Sequence, residues 1–229
     1  MYSDAFCKVY NEFGWNYFPE AFGEQLLAWL ELNHVVVKTS LDLGCGTGVL
    51  CEILHAKGVK SNGMDFSEGM IEIAKKRNPD IFYEVADMIK YRPEKKFDLV
   101  TCTGDALNHI MDLKDVDQIF QNIHGYLNEG GYFIFDLFTY SKMKEFSHLT
   151  IKDDLGFAKY KWKMNVKNNT IFHKIKIIDG KTKITEKYHE YYHDLNTILD
   201  PRFKVISVTT DFKETYSEDD ERILVVLQK

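Results

Sequence analysis

The sequence predicts an α/β fold. A doubly wound, seven-stranded, mostly parallel sheet carries helices on both faces, and a small antiparallel three-stranded insert is appended to it. Three observations lead there. Short apolar runs alternate with amphipathic stretches up to about residue 139, a glycine cluster sits where the first run gives way to a helical pattern, and beyond Thr139 the period changes to two.

Composition sets the bounds. The chain has 229 residues, a net charge of -6, 45% hydrophobic and 14% aromatic residues. That is enough apolar material for a core and too much for a disordered chain. An acidic balance argues against a nucleic-acid partner. No apolar run approaches the ~20 residues of a membrane helix, and the first residues show no basic-then-apolar leader. Cys7, Cys45, Cys51 and Cys102 are scattered without a C-x-x-C pair, so neither a disulfide framework nor a zinc site is expected, and a cytoplasmic location is.

Residues 1–33 read as helical and strongly aromatic, with Phe22, Leu26, Leu27 and Leu30 at helical spacing after Pro19. Ser40 to Leu43 is a strand ending in glycines, followed by a helix carrying Val49, Leu50, Ile53 and Leu54 that Gly58 stops. A second strand closes at Asp65. Ser67 caps a helix that must end near Pro79. Ile81 to Ala86 and Phe97 to Thr103 are strands three and four. Leu113 to Leu127 is an amphipathic helix closed at Gly130-Gly131, and Tyr132 to Leu137 is strand five. In the insert, Ala158 to Val166 and Ile171 to Ile177 alternate, Asp179-Gly180 marks a two-residue hairpin turn, and Ile184, Tyr188 and Tyr192 share a face. Phe203 to Phe212 and Arg222 to Gln228 return as an antiparallel pair at the sheet edge. The domain division expected is 1–33 as a helical lid, 34–150 with 194–229 as the core, and 151–193 as the insert.

The chemistry concentrates at Leu41-Asp42-Leu43-Gly44-Cys45-Gly46-Thr47-Gly48. A glycine turn between strand and helix brings backbone close to a ligand and aims a helix N-terminus at it. Ligands of such sheets bind beyond the carboxyl ends of the strands. The spacing is G-x-G-x-G, with Val at position 49. This is neither the dinucleotide fingerprint nor a P-loop, and it counts against a nicotinamide dehydrogenase.

With its leading acid, D-x-G-x-G-x-G resembles the class I, Rossmann-like S-adenosylmethionine-dependent methyltransferases. The resemblance continues through Gly63-Met64-Asp65-Phe66-Ser67, Val85-Ala86-Asp87-Met88, the strand-four segment running to Asn108-His109-Ile110, and Leu127-Asn128-Glu129-Gly130-Gly131. It implies that Gly44, Cys45, Gly46, Gly48 and Thr103 line the cofactor, with Cys45 acting through its backbone. It also implies that Asp65 accepts from the ribose hydroxyls, that Phe66 flanks the adenine, that Asp87 accepts from the adenine amino group and that Met88 offers its amide. Asp42 is either an acid near the methionine moiety or a cap on the turn's amides. Tyr2, Phe6, Tyr10 and Asn11 resemble the lid helix of a small-molecule subset, with Asn11 where an Asp is usual.

The resemblance implies methyl transfer to N or O of a small-molecule acceptor by in-line displacement, with no indispensable catalytic dyad. Tyr10 and His109 are the candidates for a direct catalytic role, and Tyr17, Asp105, Asn108 and His109 for substrate contact. His189 and His193 share a predicted strand face, but no third ligand makes them a metal site. Lys159, Lys161 and Lys163 read as a solvent face, and Glu218-Asp219-Asp220-Glu221 as a solvated turn. The oligomer expected is a monomer or a homodimer through the insert. Two other readings remain: a cofactor-binding protein without transferase activity, and an RNA methyltransferase, which the acidic charge disfavours.

Overall fold

The computed structural model describes residues 2–180, 182–210, 215–217 and 219–229. Two short helical pieces open the chain: α1 (Asp4–Tyr10) and a 3-10 turn over Asn11–Phe13, which ends at Gly14 with φ +75°. Only then does α2 (Tyr17–Leu32) begin. The helical character expected over 1–33 is thus delivered in pieces, because Gly14 takes the left-handed conformation that ends a helix, and the second helix starts at Tyr17, two residues before Pro19. The alternation that follows gives β1 (Thr39–Leu43), α3 (Val49–Ala56), β2 (Lys60–Asp65), α4 (Glu68–Arg77), β3 (Phe82–Val85), β4 (Phe97–Cys102), α5 (Leu113–Tyr126) and β5 (Leu127–Phe138). Ser67 caps α4, accepting from the Met70 amide as expected. α5, however, stops at Leu127, which is already extended. Gly130 and Gly131 instead lie inside β5, and Gly130 has φ +74°.

A short α6 (Tyr140–Glu145) leads into the insert: β6 (Thr150–Asp154), β7 (Ala158–Lys167), β8 (Thr170–Asp179) and β9 (Thr182–Tyr191), paired antiparallel in that order. The insert thus has four strands rather than three. β6 is exposed at every residue, so it carries no alternation by which sequence could reveal it. The β8–β9 register pairs Asp179 with Thr182, which shifts the turn by one residue from Asp179-Gly180. Gly180, at φ +53°, takes its first central position, and the next residue lies outside the described ones. After α7 (Leu195–Ile198), β10 (Lys204–Thr209) and β11 (Arg222–Gln228) complete the main sheet, ordered β10-β11-β5-β4-β1-β2-β3. β11 is antiparallel to both its neighbours. Phe212, at the end of the expected strand, and Glu218, in the expected turn, lie outside the described residues.

Alternation along the strands sorts the core into two layers. Phe133, Phe135 and Leu137 of β5 face Phe120 and Ile123 of α5, whereas Ile134, Leu224 and Val226 face Leu26 of α2 and Leu50 of α3. All of these are buried, and burial at this scale is the main stabilising term. α1 belongs to neither layer. Phe6 and Val9 pack on the inner face of the insert, against Ile175, Ile177 and Ile184.

Candidate active site

The parallel order of β4, β1 and β2 puts the turn after β1 at the carboxyl edge of the sheet, as a crossover requires. Gly44, Gly46 and Gly48 have φ +72°, +52° and +80°, which side-chain-bearing residues rarely adopt. Their surroundings differ. A Cβ on Gly48 would lie 2.6 Å from the Tyr83 hydroxyl, so that glycine serves close packing. A Cβ on Gly46 would meet nothing within 4 Å, so the turn presents bare backbone to open space there.

That space is a cavity of about 260 Å³ lined by Asp42, Gly44, Cys45, Gly46, Thr103 and Asp105 among others. Asp42 is buried, and its carboxylate accepts from the Thr101 hydroxyl at 2.7 Å rather than from the turn's amides. Burial pushes its pKa up to about 7 against that hydrogen bond, with Asp65 adding to the rise. Asp65 accepts from the amides of Gly46 (2.9 Å) and Ser67 (2.8 Å). Burial nevertheless holds it above the usual carboxylate range. A carboxylate has about four acceptor positions, so Asp65 has two to spare.

The structure does not bring all the expected residues to one cavity wall. Gly48 lies beneath the turn against Tyr83. Phe66 is 55% exposed, and Asp87 accepts from the Ile89 amide and lies 3.7 Å from Lys90 Nζ. Met88 Cε comes within 3.7 Å of the Cβ position at Gly44. Tyr17 is 75% exposed and outside the cavity. Asn108 is fully buried, donating to the Tyr191 carbonyl, with its Oδ1 unpartnered. Asp105 receives a two-pronged hydrogen bond from Arg222 (2.7 and 3.0 Å). The same guanidinium pairs with buried Asp136 and lies 4.2 Å from the centre of the Phe18 ring.

The roof comes from α1 and the insert. Tyr2, Phe6, Tyr10, Trp15, Trp162 and Tyr188 line the cavity. Burial, then Asp65, keeps the Tyr10 hydroxyl well above its ordinary pKa. Asn11 Oδ1 accepts from the Thr47 hydroxyl at 2.9 Å, and the Ser3 hydroxyl and amide donate to Glu186 of β9. α1 therefore ties the glycine turn to the insert. His109 packs edge-on to Tyr2 and lies 3.8 Å from Glu190.

His173 and Glu190 are among the cavity-lining residues that sequence reasoning missed, as are Trp162, Lys142, Glu221 and Arg222. The signal for His173 and Glu190 was a polar residue on a strand face that the alternation buries: His173 lies with Ile171, Ile175 and Ile177 on one side of β8, and Glu190 with Ile184, Glu186 and Tyr188 on one side of β9. His189 and His193 do not converge: His189 is exposed against Phe172, and His193 is buried with Nε2 2.8 Å from the Ile110 carbonyl oxygen. No metal-binding cluster occurs among the described residues.

Known proteins share this geometry. A model described as a methyltransferase domain matches residues 41–131, the stretch that holds the glycine turn, Asp65 and Asp87. A putative methyltransferase of Geobacillus sp. (strain WCH70) is 28% identical over 209 residues, covering 84% of this chain and 85% of that protein. Over residues 41–131 the chain carries a methyltransferase domain, and over most of its length it is similar to a putative methyltransferase. The methyltransferase fold is shared with an S-adenosylmethionine-dependent methyltransferase from Clostridium acetobutylicum ATCC 824 (TM-score 0.84, 23% identity, 91% of this chain and 90% of that one). It is shared as well with the sugar N-methyltransferase KedS8 from Streptoalloteichus sp ATCC 53650 (TM-score 0.77, 15% identity, 100% and 96%). Among the described residues, the chain has no helix long and apolar enough to cross a membrane.

Proposed function

We propose that this methyltransferase acts on N or O of a small-molecule acceptor held between the glycine turn and the roof of the cavity. One observation carries the reading: a single cavity runs from Gly44, Gly46 and Asp42 to Trp162, Tyr188 and Glu190 of the insert. Covered by α1 and β9, it suits a small acceptor better than a polynucleotide. A sugar N-methyltransferase that shares the fold across nearly its whole length is consistent with that.

When bound, S-adenosylmethionine supplies an electrophilic methyl group and leaves as S-adenosylhomocysteine. In this reading Gly44, Cys45, Gly46, Asp42 and Thr103 hold it within the cavity. Asp65 uses its two free acceptor positions on the ribose hydroxyls. Phe66, Asp87 and Met88 complete the adenosine end from the open side of the turn. The α1 helix and the insert exclude water and orient the acceptor, which is the larger part of the work when no protein nucleophile is required.

Calorimetry with S-adenosylmethionine on wild type and Asp65→Ala tests the assignment. The variant is expected to bind at least about tenfold more weakly, the loss of two charge-assisted hydrogen bonds. Unchanged affinity overturns the role of Asp65, and no binding by either protein overturns the cofactor site as a whole.

A further inference from the structure

The roof of the cavity has a charge pattern that the cofactor does not explain. Glu190 is nearly buried, with an 11% exposed side chain, yet among the described residues its only ion-pair partners are two imidazoles: His173 Nε2 at 3.0 Å and His109 Nε2 at 3.8 Å. Among the described residues, the cationic side chains nearby are committed elsewhere. Arg222 pairs with Asp105 and Asp136, and Lys142 with Glu145 and Glu221.

Neither imidazole makes a hydrogen bond to Glu190. His173 Nδ1 accepts from the Trp162 indole N–H (3.1 Å), so in the neutral ring Nε2 carries the proton. That Nε2, fully buried, is close to Glu190 but off the line of a hydrogen bond. His109 Nδ1 lies 3.3 Å from the His189 carbonyl oxygen and donates to it, which leaves Nε2 of a neutral ring turned to Glu190 as a lone pair. A buried carboxylate without a cation is costly.

Around this carboxylate stand aromatic rings. Tyr188 stacks on His173 with centroids 4.4 Å apart, Tyr2 meets Tyr188 edge-on at 5.3 Å, and Trp15 meets Trp162 at 5.7 Å. An anion set among aromatic faces is the environment that holds an organic ammonium.

From this juxtaposition of Glu190 with the rings of Tyr2, Tyr188, Trp15 and Trp162, we infer that the acceptor is an amine that enters as its ammonium ion, with Glu190 as the group that binds it and takes its proton. The inference rests on the methyl-transfer reading above and narrows N or O to N. An ammonium has no lone pair, so one N–H proton must leave before a C–N bond can form. That proton passes to the Glu190 carboxylate. The nitrogen's freed pair makes the C–N bond as the C–S bond breaks with its pair going to sulfur. His109, one-third exposed, lies between Glu190 and solvent and takes the proton onward.

The test uses choline as a non-reactive cation and 3,3-dimethylbutan-1-ol as its neutral isostere. Each is titrated into the S-adenosylhomocysteine complex and read by the fluorescence of Trp15 and Trp162. Choline is expected to bind at least about tenfold more tightly than the alcohol in wild type and in Glu190→Asp. In Glu190→Gln the preference should fall below about threefold. Equal binding of the two probes by wild type, or a preference that survives in Glu190→Gln, overturns the proposal. The wild-type comparison decides by itself should a variant fail to fold. Calorimetry of S-adenosylhomocysteine on the same samples separates the two readings. Binding of the product without a cation preference overturns the amine alone, and no binding of the product overturns the methyl-transfer reading beneath it.

Discussion

Asp42 is a carboxyl group held in a place that prefers it neutral. Its pKa is pushed up to about 7 by burial, against an ordinary value of 3.8. Between those values the folded chain keeps a proton that the unfolded chain gives up, so stability falls as pH rises from about 4 to 7 and is level above that. Asp42→Asn is therefore expected to stabilise the free protein by up to about 4 kcal/mol at pH 8 and by little at pH 4, measured as urea midpoints across that range. The glycine turn and the placement of Asp65 beside it are legible in the sequence because both depend on local spacing. Glu190 and His173 were not, since a polar residue on a strand's buried face becomes a site only once another element covers it, and what covers them is α1, far away in the chain. Tyr17 shows the opposite error. Its neighbours Tyr10 and Trp15 turn inward while it lies 75% exposed at the start of α2, a difference set by the break at Gly14.

The insert is the element whose outer face invites a test. Antiparallel register sets Lys163, Lys174 and Lys187 directly opposite one another, and Lys152, Lys161 and Lys176 likewise. Like charges in register destabilise a sheet, and the Lys161 ammonium is accordingly easier to deprotonate, chiefly because of Lys163 and Lys152. Lys174 lies between two of its kind, so Lys174→Glu replaces two repulsions by two attractions. It is expected to stabilise the protein by roughly 0.5–1 kcal/mol at low salt, with most of the gain gone in 0.5 M NaCl, read from denaturation midpoints at both ionic strengths. The strands themselves were plain in the sequence wherever one side was buried, and β6 escaped because neither side is. The register of β7 on β8 turns on Asn168 and Asn169, both with positive φ, an Asn-Asn pair in the place where Asn-Gly is the familiar signal.

At the scale of the whole molecule, α1 and α2 have different attachments although they follow each other closely. α2 is built into the core layer with α3, whereas α1 lies across α4, where Cys7 Sγ is 3.5 Å from Ser67 Oγ, and is otherwise held by the Asn11–Thr47 hydrogen bond, the Ser3 contacts to Glu186 and an aromatic patch on the insert. Hydrogen exchange with and without S-adenosylmethionine should therefore gain protection over residues 4–10 and change little over 17–32. Equal protection of both stretches would remove the case for α1 as a cover that the cofactor steadies.

The placement of β11 between β5 and β10 has a further consequence for biogenesis. Until translation has passed Gln228, the nascent polypeptide leaves one edge of β5 bare, and until Arg222 is in place Asp105 and Asp136 lack the guanidinium they share. A ribosome stalled just before Arg222 would display an apolar, unpaired margin that chaperones bind and that sticks to its own kind.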